Sequence, residues 1–312
     1  MKIILSTCFI LCLFFTYGQT KKLCITVDDI PTVSYGQNNF EYSRDITNKL
    51  IQTFSRFKIP AIGYVNEIQL YSNGKRDSLK IELLEMWLRN GYDIGNHTYS
   101  HLDFNKVTDS IYFQDIIKGE LISKQLTQKY DKRLTYFRHP YLHTGSDKYR
   151  FSCLNDFLKK NHYTVSPVTI DNDDYLFARF YHKAFLDNNE HLMLEIGKAY
   201  VDYMEEKIIY FEKKSVEVFG RNISQTLLIH ASMLNADYLD ELAFMYQKHG
   251  YIFVSQKEVL KDKTYQTKES YFTSKGISWI FRWALSKGMN EKIMDDDIVT
   301  PDYIVNMNEH WK

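Results

Sequence analysis

Five prolines and 13 glycines in 312 residues leave no room for a Pro- or Gly-rich linker. No low-complexity tract or internal repeat interrupts the chain, so it reads as one continuous domain. Cysteine is equally scarce. Of the 4 present, Cys8 and Cys12 lie in an apolar N-terminal stretch, and the remainder keeps only Cys24 and Cys153. The fold therefore does not depend on disulfides. Cys24 sits inside an apolar run and reads as a buried thiol, with a single bridge to Cys153 as the alternative. Neither charge is in excess: 39 Lys and Arg balance 39 Asp and Glu, and no stretch gathers one sign. This argues against a nucleic-acid partner.

Long apolar runs are missing too, apart from Ile3–Phe15. That segment is short for a membrane span of about 20 residues. It follows Lys2 and leads to Thr16, Tyr17 and Gly18, the layout of a secretory signal peptide over residues 1–18. Thr7 and Leu11 are not the small residues that precede a lipidated Cys. The expectation is an exported protein, periplasmic or extracellular, monomeric and without a transmembrane domain once mature. Residues 19–312 suffice for one large α/β domain.

What is present is alternation. Short apolar runs at 22–27, 61–66, 92–97, 134–139, 163–170, 226–231 and 251–255 read as strands, and helical patterns near 43–57, 77–90, 109–130, 147–161, 237–249 and 256–262 separate them. Seven strands spaced by helices imply a parallel sheet closed into a barrel. A longer helical stretch, 176–219, carries Asp187, Asn188 and Asn189 mid-way and predicts a helical hairpin beside the barrel. The C-terminal extension, about 264–312, places Trp279, Ile280, Trp283 and Ala284 at helical spacing, which implies a helix sealing the barrel or, less simply, an aromatic sugar platform.

Several strand ends carry chemistry. ITVDDIP ends a buried-looking strand with adjacent Asp28 and Asp29. In YDIGNHTYSH, His97 and His101 are four apart, and on a helical turn both imidazoles would share one face, a geometry that grips a metal ion. A carboxylate from another strand end, one of Asp28 and Asp29, would complete the ligand set, leaving the other Asp to take a proton from a metal-bound water. FRHPY supplies Arg138, which can pair with that base, and Pro140, which fixes the direction of the next backbone N–H. TLLIHAS ends on His230, a candidate general acid, and DNDDY (171–175) supplies acids that could orient it.

The ordered set TVDDIP, HTYSH, RHPY, DNDDY and LLIH resembles the five motifs of the polysaccharide deacetylases of carbohydrate esterase family 4, TFDDGP, H(S/T)xxH, RxPY, DxxDW and LxxH. The resemblance implies a distorted (β/α)7 barrel, here with the helical hairpin insertion and a C-terminal helical segment, and metal-dependent hydrolysis of N-acetyl groups on a cell-wall or surface glycan. It implies Asp28 as base and Asp29, His97 and His101 as metal ligands. Arg138 would orient the base, the Tyr141 backbone N–H would serve the oxyanion, and His230 would be the acid with Asp171 as its partner. Tyr175 and Pro140 would face substrate. Zinc is the default ion, and cobalt or nickel suits the same donors. Val27, Ile30 and Tyr175 depart from the family pattern. A bulky Ile30 is expected to reshape the groove. The alternatives are an O-acetyl esterase or another small-acyl hydrolase, and an inactive glycan-binding barrel.

Overall fold

The computed structural model describes residues 20–33, 35–37 and 39–309. The expected signal peptide, 1–18, lies outside them. In chain order the first half contains β1 (Lys21–Ile30), α1 (Phe40–Phe57), β2 (Ile62–Val65), the small hairpin of β3 (Tyr71–Ser72) and β4 (Lys75–Arg76), α2 (Ser78–Arg89), β5 (Asp93–Asn96), α3 (Asp109–Lys118) and α4 (Leu121–Lys129). The second half adds β6 (Tyr136–Phe137), α5 (Lys148–Lys160), β7 (Thr164–Val165), α6 (Asp174–Leu186), α7 (Glu190–Phe219), β8 (Gln225–His230), α8 (Met233–Lys248) and β9 (Tyr251–Phe253). Helices α9 (Gln256–Val259), α10 (Trp279–Ser286) and α11 (Asp302–Glu309) complete it.

Strands β7-β6-β5-β2-β1-β8 form a curled parallel sheet, with β9 paired to the start of β1. β1 is buried along Leu23–Asp28 because helices cover one face and the barrel interior the other. That is why it reads as an unbroken apolar run rather than an alternating one. The strand expected over 163–170 is split. Only Thr164 and Val165 pair with β6; the chain then passes Pro167, which has no N–H for a ladder, and Ile170 makes an isolated parallel bridge to Leu227 of β8. This bridge closes the distorted barrel.

The insertion is the expected hairpin. α6 ends at Leu186, and α7 starts after Asn189, whose side chain caps the Leu192 N–H at 3.0 Å. In the C-terminal segment, Trp279, Ile280, Trp283 and Ala284 are all buried, so the helix seals the barrel and the two indoles offer no surface platform. Its start is tied to the split strand: the Trp279 N–H donates to the Val168 carbonyl at 2.8 Å and Ser278 Oγ to the Thr169 carbonyl at 2.7 Å. Burial of a side chain such as Ile280 contributes roughly 1.5–3 kcal/mol. Cys24 and Cys153 are unbridged. Among the described residues no helix is long and apolar enough to cross a membrane.

Two departures from expectation bear on the site. Ile30 is fully buried and points at Gly63 of β2, where an added Cβ would lie 2.5 Å from its Cδ1. The bulk at position 30 is thus absorbed by a glycine on the adjacent strand, and it does not shape the groove. The long helix expected over 109–130 is broken at Gly119, whose Cα lies against the backbone between the two histidines. A Cβ there would sit 2.3 Å from the Thr98 carbonyl carbon. Backbone cannot yield as a side-chain tip can. Gly119→Ala should therefore destabilise the fold by about 1–3 kcal/mol in urea unfolding; an unchanged midpoint would show that the loop tolerates displacement.

Candidate active site

Adjacent residues of a regular strand point to opposite faces. Asp28 and Asp29 do not. The register with β2 shifts between Val27 and Ile30, and Asp29 has a left-handed backbone, φ 61°, so both carboxylates line one cleft of about 930 Å³ at the strand ends. A left-handed aspartate is tolerated because its short side chain bonds locally. Here the Asn66 side-chain amide at the end of β2 donates to Asp29 Oδ1.

His97 follows β5 directly. Its Nδ1 faces the Arg138 carbonyl at 2.8 Å, which turns Nε2 toward Asp29 Oδ1 at 3.6 Å. His101 Nε2 is 3.8 Å from the same oxygen. The loop between the histidines is not the helical turn expected from the spacing. Thr98 and His101 have φ of 65° and 55°, and the loop is pinned from α3, where Asp115 accepts the Ser100 N–H at 3.0 Å and the Ser100 hydroxyl at 2.7 Å. Ligand atoms of Asp29, His97 and His101 all lie within 4.8 Å of one another. Two imidazoles and one carboxylate suit a divalent transition metal with open positions.

Electrostatics separates the two carboxylates. Burial raises Asp28 to about 6 against the opposing charges of Arg138 and His230. Burial also acts on Asp29, but the His101, His97 and His230 imidazoles outweigh it and hold Asp29 below the usual range. His97, desolvated and beside His101, is lowered to about 3 and stays neutral, as a ligand must. Asp28 Oδ1 is buried with no hydrogen-bond partner among the described residues, while Oδ2 lies 3.5 Å from Nη1 of the fully buried Arg138. Arg138 is held in turn by Thr26 Oγ1 at 2.7 Å. An orphaned carboxylate oxygen beside three convergent ligand atoms fits a site built for a cation and the water next to it.

On β8, His230 is in register with Asp28. Its Nδ1 lies 2.7 Å from Asp174 Oδ1, and its backbone N–H donates to Asp174 Oδ2 at 2.8 Å. Burial would lower this imidazole, but Asp174, aided by Asp29 and Asp28, raises it to about 10.

The sequence profile described as polysaccharide deacetylase matches residues 17–152. Over residues 17–152 the chain is similar to the polysaccharide deacetylases. Two solved structures share the fold, both mutants of a carbohydrate esterase family 4 pseudoenzyme of Bacillus anthracis. One of them, described as having restored enzymatic activity, is 11% identical with TM-score 0.50, and the other is 13% identical with TM-score 0.52. Each alignment covers 78% of this chain and 69% of that chain. A family 4 carbohydrate esterase from the same organism aligns at 20% identity and TM-score 0.46, over 78% of this chain and 85% of that chain. No curated protein matches. The deacetylase match contains Asp28, Asp29, His97, His101 and Arg138 but stops short of Asp174 and His230.

One expected assignment is corrected. The partner of His230 is Asp174, not Asp171. Asp174 opens α6 three residues further on, fully buried, and Asn235 of α8 fixes its Oδ2 at 2.7 Å. Asp171 lies on the cleft wall, raised to about 7 by burial against the nearby Lys207. Pro140 is buried behind the wall, whereas Tyr141, 54% exposed, and Tyr175, 46% exposed, stand on it. Tyr175 presents its ring 6.4 Å from His230. Sequence reasoning also missed Asn66, Asp115 and Asn235. Only Asn66 left a trace, as a polar residue ending the apolar run AIGYVN.

The correction is testable by NMR titration of the His230 ring. Asp174→Asn should bring its pKa from about 10 toward about 6.5, and Asp171→Asn should leave it raised. The folded value lies above the unfolded one. The pair therefore stabilises fully below pH 6.5 and loses its effect as pH rises through about 10, so Asp174→Asn should cost more stability at pH 6 than at pH 10.

Proposed function

We propose that this protein is an exported, metal-dependent deacetylase that hydrolyses N-acetyl groups on sugars of a cell-wall or surface glycan, with zinc as its ordinary ion. The observation that carries the reading is the convergence of Asp29, His97 and His101 beside the orphaned Oδ1 of Asp28. The similarity of residues 17–152 to the polysaccharide deacetylases supports the reaction class.

A divalent ion held by Asp29, His97 and His101 would supply a Lewis acid for the acetamide carbonyl and a lowered pKa for water. Asp28 takes the proton of the attacking water at Oδ1, while Arg138 holds its other oxygen and keeps the carboxylate aimed. Tyr141, left-handed at φ 55° after Pro140, turns its backbone N–H to the developing oxyanion. His230, kept protonated by Asp174, delivers its Nε2 proton to the departing amine. Tyr175 walls the acetyl methyl beside it. Asp28 and His230 thus have pKa values pushed toward opposite tasks, a pattern suited to paired base and acid.

An O-acetyl esterase would favour a narrow pocket, with which a groove-lining Ile30 was compatible, and that side chain is in the core. A purely glycan-binding barrel has no use for a buried base, its arginine and a charged His–Asp pair held together.

Zinc-loaded protein should release acetate from N-acetylated chitooligosaccharides or peptidoglycan fragments, and chelator-stripped protein should not. Asp28→Asn should retain zinc by elemental analysis yet lose a factor on the order of 10²–10⁴ in kcat; His97→Ala should lose the zinc. Since Asp28 must be ionised and His230 protonated, kcat/KM should rise with pH through an acid limb at or below about 6, lowered further by the bound cation, and fall only toward about 10. Full turnover by Asp28→Asn would contradict the base assignment.

A further inference from the structure

The proposed reaction uses one imidazole–carboxylate pair, and the cleft contains a second. His143 Nδ1 lies 2.7 Å from Asp103 Oδ1, which also accepts the Asn105 N–H at 2.9 Å. With Nδ1 turned to Asp103, the ring edge carrying Nε2 is left for the cleft, whose wall His143 shares with Tyr141 and Gly276. The backbone puts it there. Tyr141 and Leu142 are consecutive left-handed residues, φ 55° and 54°, and Arg282 of α10 anchors the turn by donating to the Leu142 carbonyl at 2.8 Å.

The Tyr141 ring beside it is exposed and held in place, with the His101 ring edge-on at 4.6 Å and the His143 ring tilted at 5.7 Å. A fixed aromatic face next to a hydrogen-bonding atom of fixed direction matches a sugar ring: the C–H face packs on the aromatic ring, and a hydroxyl bonds the nitrogen. A structural role alone would not require Tyr141 to stay half exposed.

We propose that Tyr141 and the Asp103-held His143 form a pyranose-binding subsite on the His101 side of the metal cluster, so that the substrate is an oligosaccharide occupying this subsite as well as the reacting position, not a lone acetylated monosaccharide. This rests on the deacetylase reading above.

The test uses zinc-loaded protein of residues 19–312 and tetra-N-acetylchitotetraose. Calorimetry in an Asp28→Asn background reads binding without turnover, and acetate release with Asp28 intact reads KM and kcat. His143→Ala should weaken binding and raise KM by about tenfold, the size of one lost hydrogen bond and its packing, with kcat changed less than about threefold. His143→Gln keeps an amide near the Nε2 position and should recover most of the loss. His143→Asn keeps only the bond to Asp103 and should not. Unchanged affinity in His143→Ala, or rescue by Asn rather than Gln, would overturn the subsite. If acetate is never released but His143→Ala still loses tetramer affinity, the deacetylase reading fails and the subsite stands. Absence of tetramer binding to any of these proteins would overturn the subsite.

Discussion

Two adjacent carboxylates line one cleft and have their pKa values pushed in opposite directions, and the rest of the site is arranged around that constraint. Left alone, Asp28 and Asp29 would repel each other and both would be pushed toward protonation by burial. The imidazoles of His97, His101 and His230 decide the matter for Asp29, which stays ionised. Arg138 only partly offsets burial at Asp28, which keeps basicity in reserve. The backbone serves the same end, since the register shift in β1 and the left-handed Asp29 bring onto one wall two side chains that a regular strand would separate. Strain of this kind, on the order of 1–3 kcal/mol, persists where surrounding contacts over-determine it. The Asn66 amide on Asp29 Oδ1 and the Gln69 amide on the Asp29 carbonyl, at 3.4 Å, are such contacts.

The parts of the chain outside the family match are tied to the same centre. Tyr200 of α7 donates to Asn235 Oδ1 at 2.6 Å, Asn235 holds Asp174, and Asp174 holds His230. The helical insertion therefore reaches the imidazole through a chain of buried hydrogen bonds, where low dielectric makes each one count for more. The C-terminal segment works from the other wall, with Arg282 gripping the turn that carries Tyr141 and His143. Thr300 donates to Asp173 Oδ2 at 2.7 Å, so the tail also steadies the loop that leads into Asp174. Neither addition is mere bulk.

Periodicity and strand-end chemistry made the barrel, the hairpin break at Asp187–Asn189 and the gathering of two histidines with the aspartates of β1 legible in the sequence. The failures have physical causes. DNDDY offers three acids within four residues, and which one meets His230 depends on where α6 begins its first turn, which spacing alone does not set. The His97–His101 spacing suggested a helix because four residues make a turn; the actual loop is held by Asp115 and Gly119, distant in sequence and silent as motifs. Ile30 looked like groove lining until its partner Gly63, on the neighbouring strand, was seen. Tertiary partners account for each miss.

The most direct test of the central claim is a crystal structure of the zinc-soaked protein with anomalous scattering recorded at the zinc edge. The account predicts one ion bonded to Nε2 of His97, Nε2 of His101 and a carboxylate oxygen of Asp29, with Asp28 Oδ1 left uncoordinated. An ion ligated by Asp28, or no ion at these three residues, would contradict it.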